Sequence, residues 1–357
     1  MPAANIVYVD SFSRYPTAGL DEAGWTVLNG SSGTMVCNAA TGRFGGQSLR
    51  YAATSGTAGQ NISYVTRSVS SQADFCIGFG FRTSTMPAAA FAIMGLLDSG
   101  TLHVDLRVNP AGTLSVTRNG TALTDGTSAL ALLPGVFYHI EFIVTIADSI
   151  GAGTCVVKVN GATWLTVATG QDTRNAANAS ANQVRLGCLA GTTTNGLTLD
   201  FSDLIIQNAS GATFLGDRRV DFLPANANGN SSQFTGSDGN SVDNYLLVDD
   251  PTEDDDSTYV ESSTVGHKDL YSLANLSSTP TVIDCIQTVL YHRMTDAGPR
   301  AICPVLRSGG ADYDKATIGQ ASSYAYGTEI VLTDPATAAA WDAAGVNALE
   351  MGMKIIT

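Results

Sequence analysis

The chain is predicted to be all-β, with two β-sandwich, jelly-roll-like domains and one short helix near residues 335–344. Three observations carry that prediction. Apolar and polar residues alternate with period two over most of the first two hundred positions, which puts greasy side chains on one face of a sheet and polar ones on the other. Turn-forming dipeptides separate the alternating runs. Hydrophobic residues make up 44% of the 357 positions and charged residues only 14%, so there is material for a packed interior, and a highly charged disordered chain is excluded.

The elements follow in order. Leu102, Val104, Leu106 and Val108 share one strand face, and His103, Asp105 and Arg107 share the other. A turn at Asn109-Pro110-Ala111-Gly112 leads to a second strand through Leu114 and Val116, which stops at the hairpin signal Asn119-Gly120. Ile140, Phe142, Val144 and Ile146 alternate with His139, Glu141 and Thr145. A strand at Val156 to Val159 turns at Asn160-Gly161 and returns through Trp164, Leu165 and Val167. Leu197, Leu199 and Phe201, alternating with Thr198, Asp200 and Ser202, close this half.

The texture changes beyond Gly211, with a Gly/Asn/Ser-rich stretch over 225–240 and an acidic run over 249–256. The boundary is placed near Gly216, giving domains 1–215 and 216–357. Val282 to Met294 reads as a long strand, turned at Asp296-Ala297-Gly298-Pro299, with Arg300 to Arg307 returning as its neighbour. The helix is specified by Asp334 as N-cap, Pro335 at the first helical position, Ala338 to Ala340, and Gly345 as its end. Leu349, Met351, Met353 and Ile355 mark a terminal strand.

The net charge of −14 excludes a nucleic-acid backbone as the natural partner. Residues 1–215 hold 10 basic and 12 acidic side chains and residues 216–357 hold 8 and 20, so the second half carries most of the charge. The six cysteines form no C-x-x-C pair and are expected as reduced, mostly buried thiols. The N-terminal residues lack the basic and apolar regions of a secretory leader, and no run reaches the ~18 apolar residues of a membrane span. Synthesis in a cytosol, without membrane insertion, is the expectation.

Residues 1–215 resemble the concanavalin-A-like or laminin-G-like sandwich family. The resemblance is carried by Gly42 to Arg50 (GRFGGQSLR), by Leu133 to Glu141 (LPGVFYHIE, with Phe137 where Trp is usual), and by Val157-Lys158-Val159-Asn160-Gly161. The strings Phe214 to Val220, Arg307-Ser308-Gly309-Gly310 and Asp334-Pro335-Ala336-Thr337 are similar to a recurrent class of tailed-bacteriophage virion proteins. That resemblance implies a place on the exterior of a phage particle as capsid decoration, head fibre or tail component. It also implies contacts with other virion proteins and with host surface glycan, and a homo-oligomer, expected as a trimer. A glycan-binding, lectin-like receptor-recognition role is the alternative within the same resemblance.

Candidate chemistry is sparse. Asp249, Asp250, Glu253, Asp254, Asp255 and Asp256 offer oxygen ligands to calcium, but without the spacing of an EF-hand loop, so a solvated acidic loop is the plainer reading. No other cofactor is expected. Asp200 and Asp203 form the best carboxylate pair for glycan cleavage, yet three residues apart on a regular strand they point to opposite faces unless a bulge intervenes. A binding or building protein rather than an enzyme is therefore expected. His139, among the polar positions of its strand, reads as a hydrogen-bonded surface histidine. Trp25, Tyr51, Tyr64, Trp164, Tyr324 and Tyr326 are the aromatics to consider for stacking on sugar rings, although any one of them is more often core.

Overall fold

A computed structural model describes residues 5–16, 19–38, 40–54, 61–148, 152–168, 170–191, 196–209, 211–250, 252–296, 298–320 and 322–357. Nearly all of its regular structure is antiparallel sheet, as the alternation predicts. The chain forms two compact units: Asn5–Ser13 with Thr17–Val220, and Arg14–Pro16 with Asp221–Thr357.

The first unit is built from two large sheets. One runs in the order Ala162–Thr166, Thr154–Val159, Tyr138–Thr145, Asp74–Thr83, Thr198–Gln207, Ser48–Ala53 and Gly33–Asn38, with Ile6–Asp10 also paired to Thr198–Gln207. The other runs Thr121–Ala131, Thr113–Arg118, Thr101–Val108, Phe91–Asp98, Ala181–Ala190, Ser63–Gln72 and Trp25–Leu28. Sequence alternation explains the packing: Phe75, Ile77, Phe79 and Phe81 of one strand, Ile140, Phe142 and Val144 of its neighbour, and Leu199 and Phe201 of the next are all buried. The rings of Phe79 and Phe81 lie 5.9 and 5.4 Å from that of Phe201. Both hairpins flagged by Asn-Gly adopt the expected left-handed pair: Asn119 and Gly120 have φ of 45° and 87°, and Asn160 and Gly161 have 49° and 80°.

The second unit has a six-stranded sheet in the order Ala225–Ser232, Lys268–Leu273, Glu350–Ile355, Ala301–Ser308 and Ala311–Asp314, with Ile318–Gly319 also on Ala301–Ser308. Two short ribbons accompany it, Thr235–Gly236 with Val260–Glu261 and Ile286–His292 with Ala325–Val331. The expected pairing of the segment after Val282 with Arg300–Arg307 is corrected here: Ile286–His292 pairs Ala325–Val331, in register from Ile286↔Val331 to His292↔Ala325. Burial gives the reason. Ile302 to Leu306 are buried on both faces, so their strand belongs in the middle of a sheet, whereas Ile286–His292 is mostly half-exposed. Ala297 of the expected turn lies outside the described residues.

Among the described residues the one α-helix is Ala343–Asn347, eight residues beyond its expected start. Asp342 caps it by accepting from the Gly345 N–H at 2.7 Å. Asp334 caps a turn instead: it accepts from the Ala336 N–H, the Thr337 hydroxyl and the Ser308 hydroxyl. Ala338 then enters the left-handed region at φ 56° and the chain closes a bridge between Thr333 and Ala340. Trp341, whose indole N–H donates to the Val331 carbonyl at 2.9 Å, draws the segment onto a core of Leu306, Val331, Val346 and Leu349.

All six cysteines are free, and all but the half-buried Cys285 are buried. Among the described residues no helix is long and apolar enough to cross a membrane. Because Phe201 touches both neighbouring phenylalanines and is fully buried, Phe201→Ala is expected to destabilise the chain by about 3–5 kcal/mol in urea unfolding.

Candidate functional site

The ribbon of the second unit brings together aromatics and acids that lie far apart in the sequence. Its register puts Tyr291 opposite Tyr326, and Tyr324, two residues before Tyr326 and just outside the paired strand, packs on Tyr291 as well, so three tyrosines come together. Tyr291 and Tyr324 stack at 4.7 Å with an interplanar angle of 11°, and Tyr326 meets Tyr291 at 4.7 Å and 41°. Arg293, two residues beyond Tyr291, lies 5.0 Å from the Tyr324 ring centroid.

The acidic run meets this cluster. Tyr291 donates its hydroxyl to Asp255 at 2.6 Å, while Asp256 accepts from the Tyr324 hydroxyl at 2.8 Å and from Arg293 at 2.5 Å. Those two partners hold the Asp256 carboxyl below the ordinary carboxylate range. Asp250 and Asp254 accept from the Thr258 hydroxyl. Burial and the Glu253 carboxylate push the Tyr326 hydroxyl up. These groups line a groove of about 940 Å³, together with His292, Arg300 and the apolar Phe234, Ile302 and Met353.

The candidates named from the sequence divide accordingly. Tyr324, Tyr326, Asp250, Glu253, Asp254, Asp255 and Asp256 line the groove, and Asp249 does not. Among the described residues no group of three or more His, Cys, Asp or Glu side chains is placed to hold a metal ion. Trp25 is corrected from a stacking candidate to a core residue: it is 2% exposed, packs on Tyr8 and Phe12, and directs its indole N–H to Asp10. Tyr51 is also fully buried. Tyr64 lies half-buried under the Arg185 guanidinium, and Trp164 lies half-buried, edge-on to Tyr138. Tyr291 and Arg293 were not anticipated, since only the pairing of the ribbon gives them neighbours.

The groove presents hydrogen-bond acceptors in a fixed array. Each carboxylate has about four lone-pair sites. Asp255 and Asp256 spend only some of theirs on the tyrosines and Arg293 and are themselves exposed. Such oxygens accept from ligand hydroxyls, and the tyrosine rings behind them remove the freedom that binding would otherwise have to freeze out.

The polar face of the eight-stranded sheet in the first unit was only partly legible. A bulge between Ser202 and Ile205, with Asp203 at φ 50°, turns Asp203 toward the segment 213–220, where it accepts from the Val220 N–H at 2.9 Å. Asp200 is taken up by Arg50 and Arg82. Each carboxylate thus has its own structural partners. His139 is buried rather than superficial, 3.9 Å from Asp217, and burial pushes it down to about 4. Glu141, buried two residues further on, accepts from the Leu215 and Gly216 N–H groups at 2.7 and 3.0 Å, and burial raises its pKa despite them.

A carboxyl that ionises less readily folded than unfolded keeps its proton in the native state, so its contribution to stability falls as pH rises from the ordinary carboxylate value to the raised one. Glu141→Gln retains the acceptor for Leu215 and Gly216 but cannot ionise. Its stability relative to the native chain is expected to grow as pH rises above about 4.5 in urea titrations, a trend that a stabilising Glu141 charge would reverse. Because no group of three or more acidic side chains among the described residues is placed to hold a metal ion, adding calcium and then chelator is expected to leave the melting temperature unchanged.

No family model matches the chain, and no curated protein matches it. Among solved structures it is similar to the cellulose-induced protein Cip1, at 17% identity and a TM-score of 0.43, over 58% of this chain and 100% of that one. It is similar to the alginate lyase Aly36B at 14% identity and a TM-score of 0.42, over 62% and 100%. It is also similar to domain 4 of AbnA, an extracellular arabinanase from Geobacillus stearothermophilus solved with arabinotriose, at 16% identity and a TM-score of 0.37, over 58% and 93%. At these identities and scores none of the three likenesses bears on chemistry.

Proposed function

We propose that the protein is a glycan-binding component carried on the exterior of a tailed-phage particle, acting by recognition rather than catalysis. The observation that carries the glycan reading is the groove of the second unit, where the Tyr291–Tyr324 stack is braced by hydroxyl bonds to Asp255 and Asp256. Aromatic surface beside fixed acceptor oxygens suits a polyhydroxylated ligand, whose ring carbons prefer apolar contact and whose hydroxyls need acceptors. Placement on a particle, and assembly there as a homo-oligomer with other virion proteins, is supported by the resemblance of residues 214–220, 307–310 and 334–337. In the fold, two of those strings meet at the bond from the Ser308 hydroxyl to Asp334.

A glycan array is the direct test. At least one neutral oligosaccharide is expected to bind, and Tyr291→Ala is expected to weaken it by about tenfold, the effect of losing one aromatic anchor and its hydrogen bond. Binding unchanged by Tyr291→Ala, or no hit at all, removes the groove as a glycan site. Co-sedimentation with intact particles checks the location, and release of reducing sugar from host polysaccharide would overturn the non-catalytic reading.

A further inference from the structure

The first unit carries a second arrangement that the groove does not explain. Arg50, Asp200 and Arg82 lie side by side across three adjacent strands, because the register pairs Asp200 with Arg50 on one flank and with Arg82 on the other. Asp200, 1% exposed, accepts from Arg50 Nε and Nη2, from Arg82 Nε and Nη2, and from the Ser48 hydroxyl, at 2.7–3.1 Å. Five donors exceed the roughly four lone-pair sites of a carboxylate, so the anion is fully subscribed. Arg82 Nη2 also donates to the Thr41 carbonyl at 3.2 Å.

Among the described residues the Nη1 groups of both arginines have no hydrogen-bond partner, and the two side chains are 23% and 28% exposed. Two guanidinium groups around one carboxylate leave the row with a surplus positive charge, in a chain whose net charge is −14. The surplus is held rigidly, since each guanidinium is already oriented by two bonds to Asp200. Phe137, half-buried at the end of the row with the Arg82 guanidinium 4.5 Å from its ring centroid, adds apolar surface. Elsewhere on the same sheet face the chain's own Asp217 already engages Arg43 through both carboxylate oxygens, so a carboxylate on this surface meets arginine in a matching fork.

We propose that the Arg50–Asp200–Arg82 row binds the carboxylate of an acidic sugar, with the two outward Nη1 groups donating to its oxygens and Phe137 bordering its ring. The ring argues for a sugar over an acidic peptide side chain, because a sugar brings C–H surface next to its charge. The single surplus charge suits one anionic group and not a nucleic-acid backbone, which the protein's overall charge repels.

The test uses the whole chain and trigalacturonate as the probe, read through the arginine Nε–H signals in NMR. Saturable shifts at Arg50 and Arg82 that weaken with added salt are expected, with neutral galactotriose leaving both signals in place. Arg82→Gln, with folding checked by circular dichroism, is expected to lower trigalacturonate affinity by at least about tenfold, the loss of a charge-assisted bond. The Arg50 and Arg82 shifts with trigalacturonate are expected to persist in Tyr291→Ala, a readout local to the row that separates this site from the groove. Signals unmoved by trigalacturonate, equal shifts with galactotriose, or equal affinity for free glutarate would each overturn the proposal.

Discussion

Irregular segments in both units are anchored by carboxylates buried at the sheets, and the rest of the architecture depends on that device. A strand satisfies its own backbone through its neighbours, but a segment lying across a sheet face brings N–H groups that need acceptors once water is excluded. Asp269, fully buried, meets this need for the Gln233 and Phe234 N–H groups and also accepts from Asn244 and the Tyr271 hydroxyl. Glu141 does so for Leu215 and Gly216, Asp203 for Val220, and Asp10 for Phe12. Removing such an acceptor leaves buried donors unsatisfied, at a cost of about 1–3 kcal/mol for each group.

The device also accounts for the polar side of the alternation. His103 and Asp105, on the polar face of their strand, are both fully buried. His103 accepts from the Asn175 N–H through Nδ1, and Asp105 is held by Arg107 and the Thr117 hydroxyl. Polar in the sequence therefore does not mean solvated in the fold: a polar face can be the seat of a covering segment. The same holds for the strings that carry the resemblance. The segment 214–220 is tied down by Glu141 and Asp203, and Ser308 meets Asp334, so these residues are explained by packing and hydrogen bonding.

Charge has different local uses in the two units. In the second, acidic side chains brace tyrosines and leave acceptor oxygens at a groove. In the first, one buried carboxylate organises two arginines into a cationic row. An overall charge of −14 therefore governs long-range repulsion of polyanions without fixing the sign of each local surface.

The sequence by itself determined the all-β class, the inward faces of the strands and the Asn-Gly hairpins, because alternation and turn chemistry act over a few neighbouring residues. Phe142, Leu199 and Asn160-Gly161 were legible in that way. Only the tertiary structure decided that Tyr291 faces Tyr324 and Tyr326, that Ala301–Ser308 lies within the larger sheet, and that Asp203 turns at a bulge. It likewise decided that Trp25 is core, that His139 is buried and that the helix starts at Ala343. Each of these depends on which distant strand or segment lies alongside, and that choice is made by burial on both faces and by buried donors finding acceptors, neither of which a local pattern encodes.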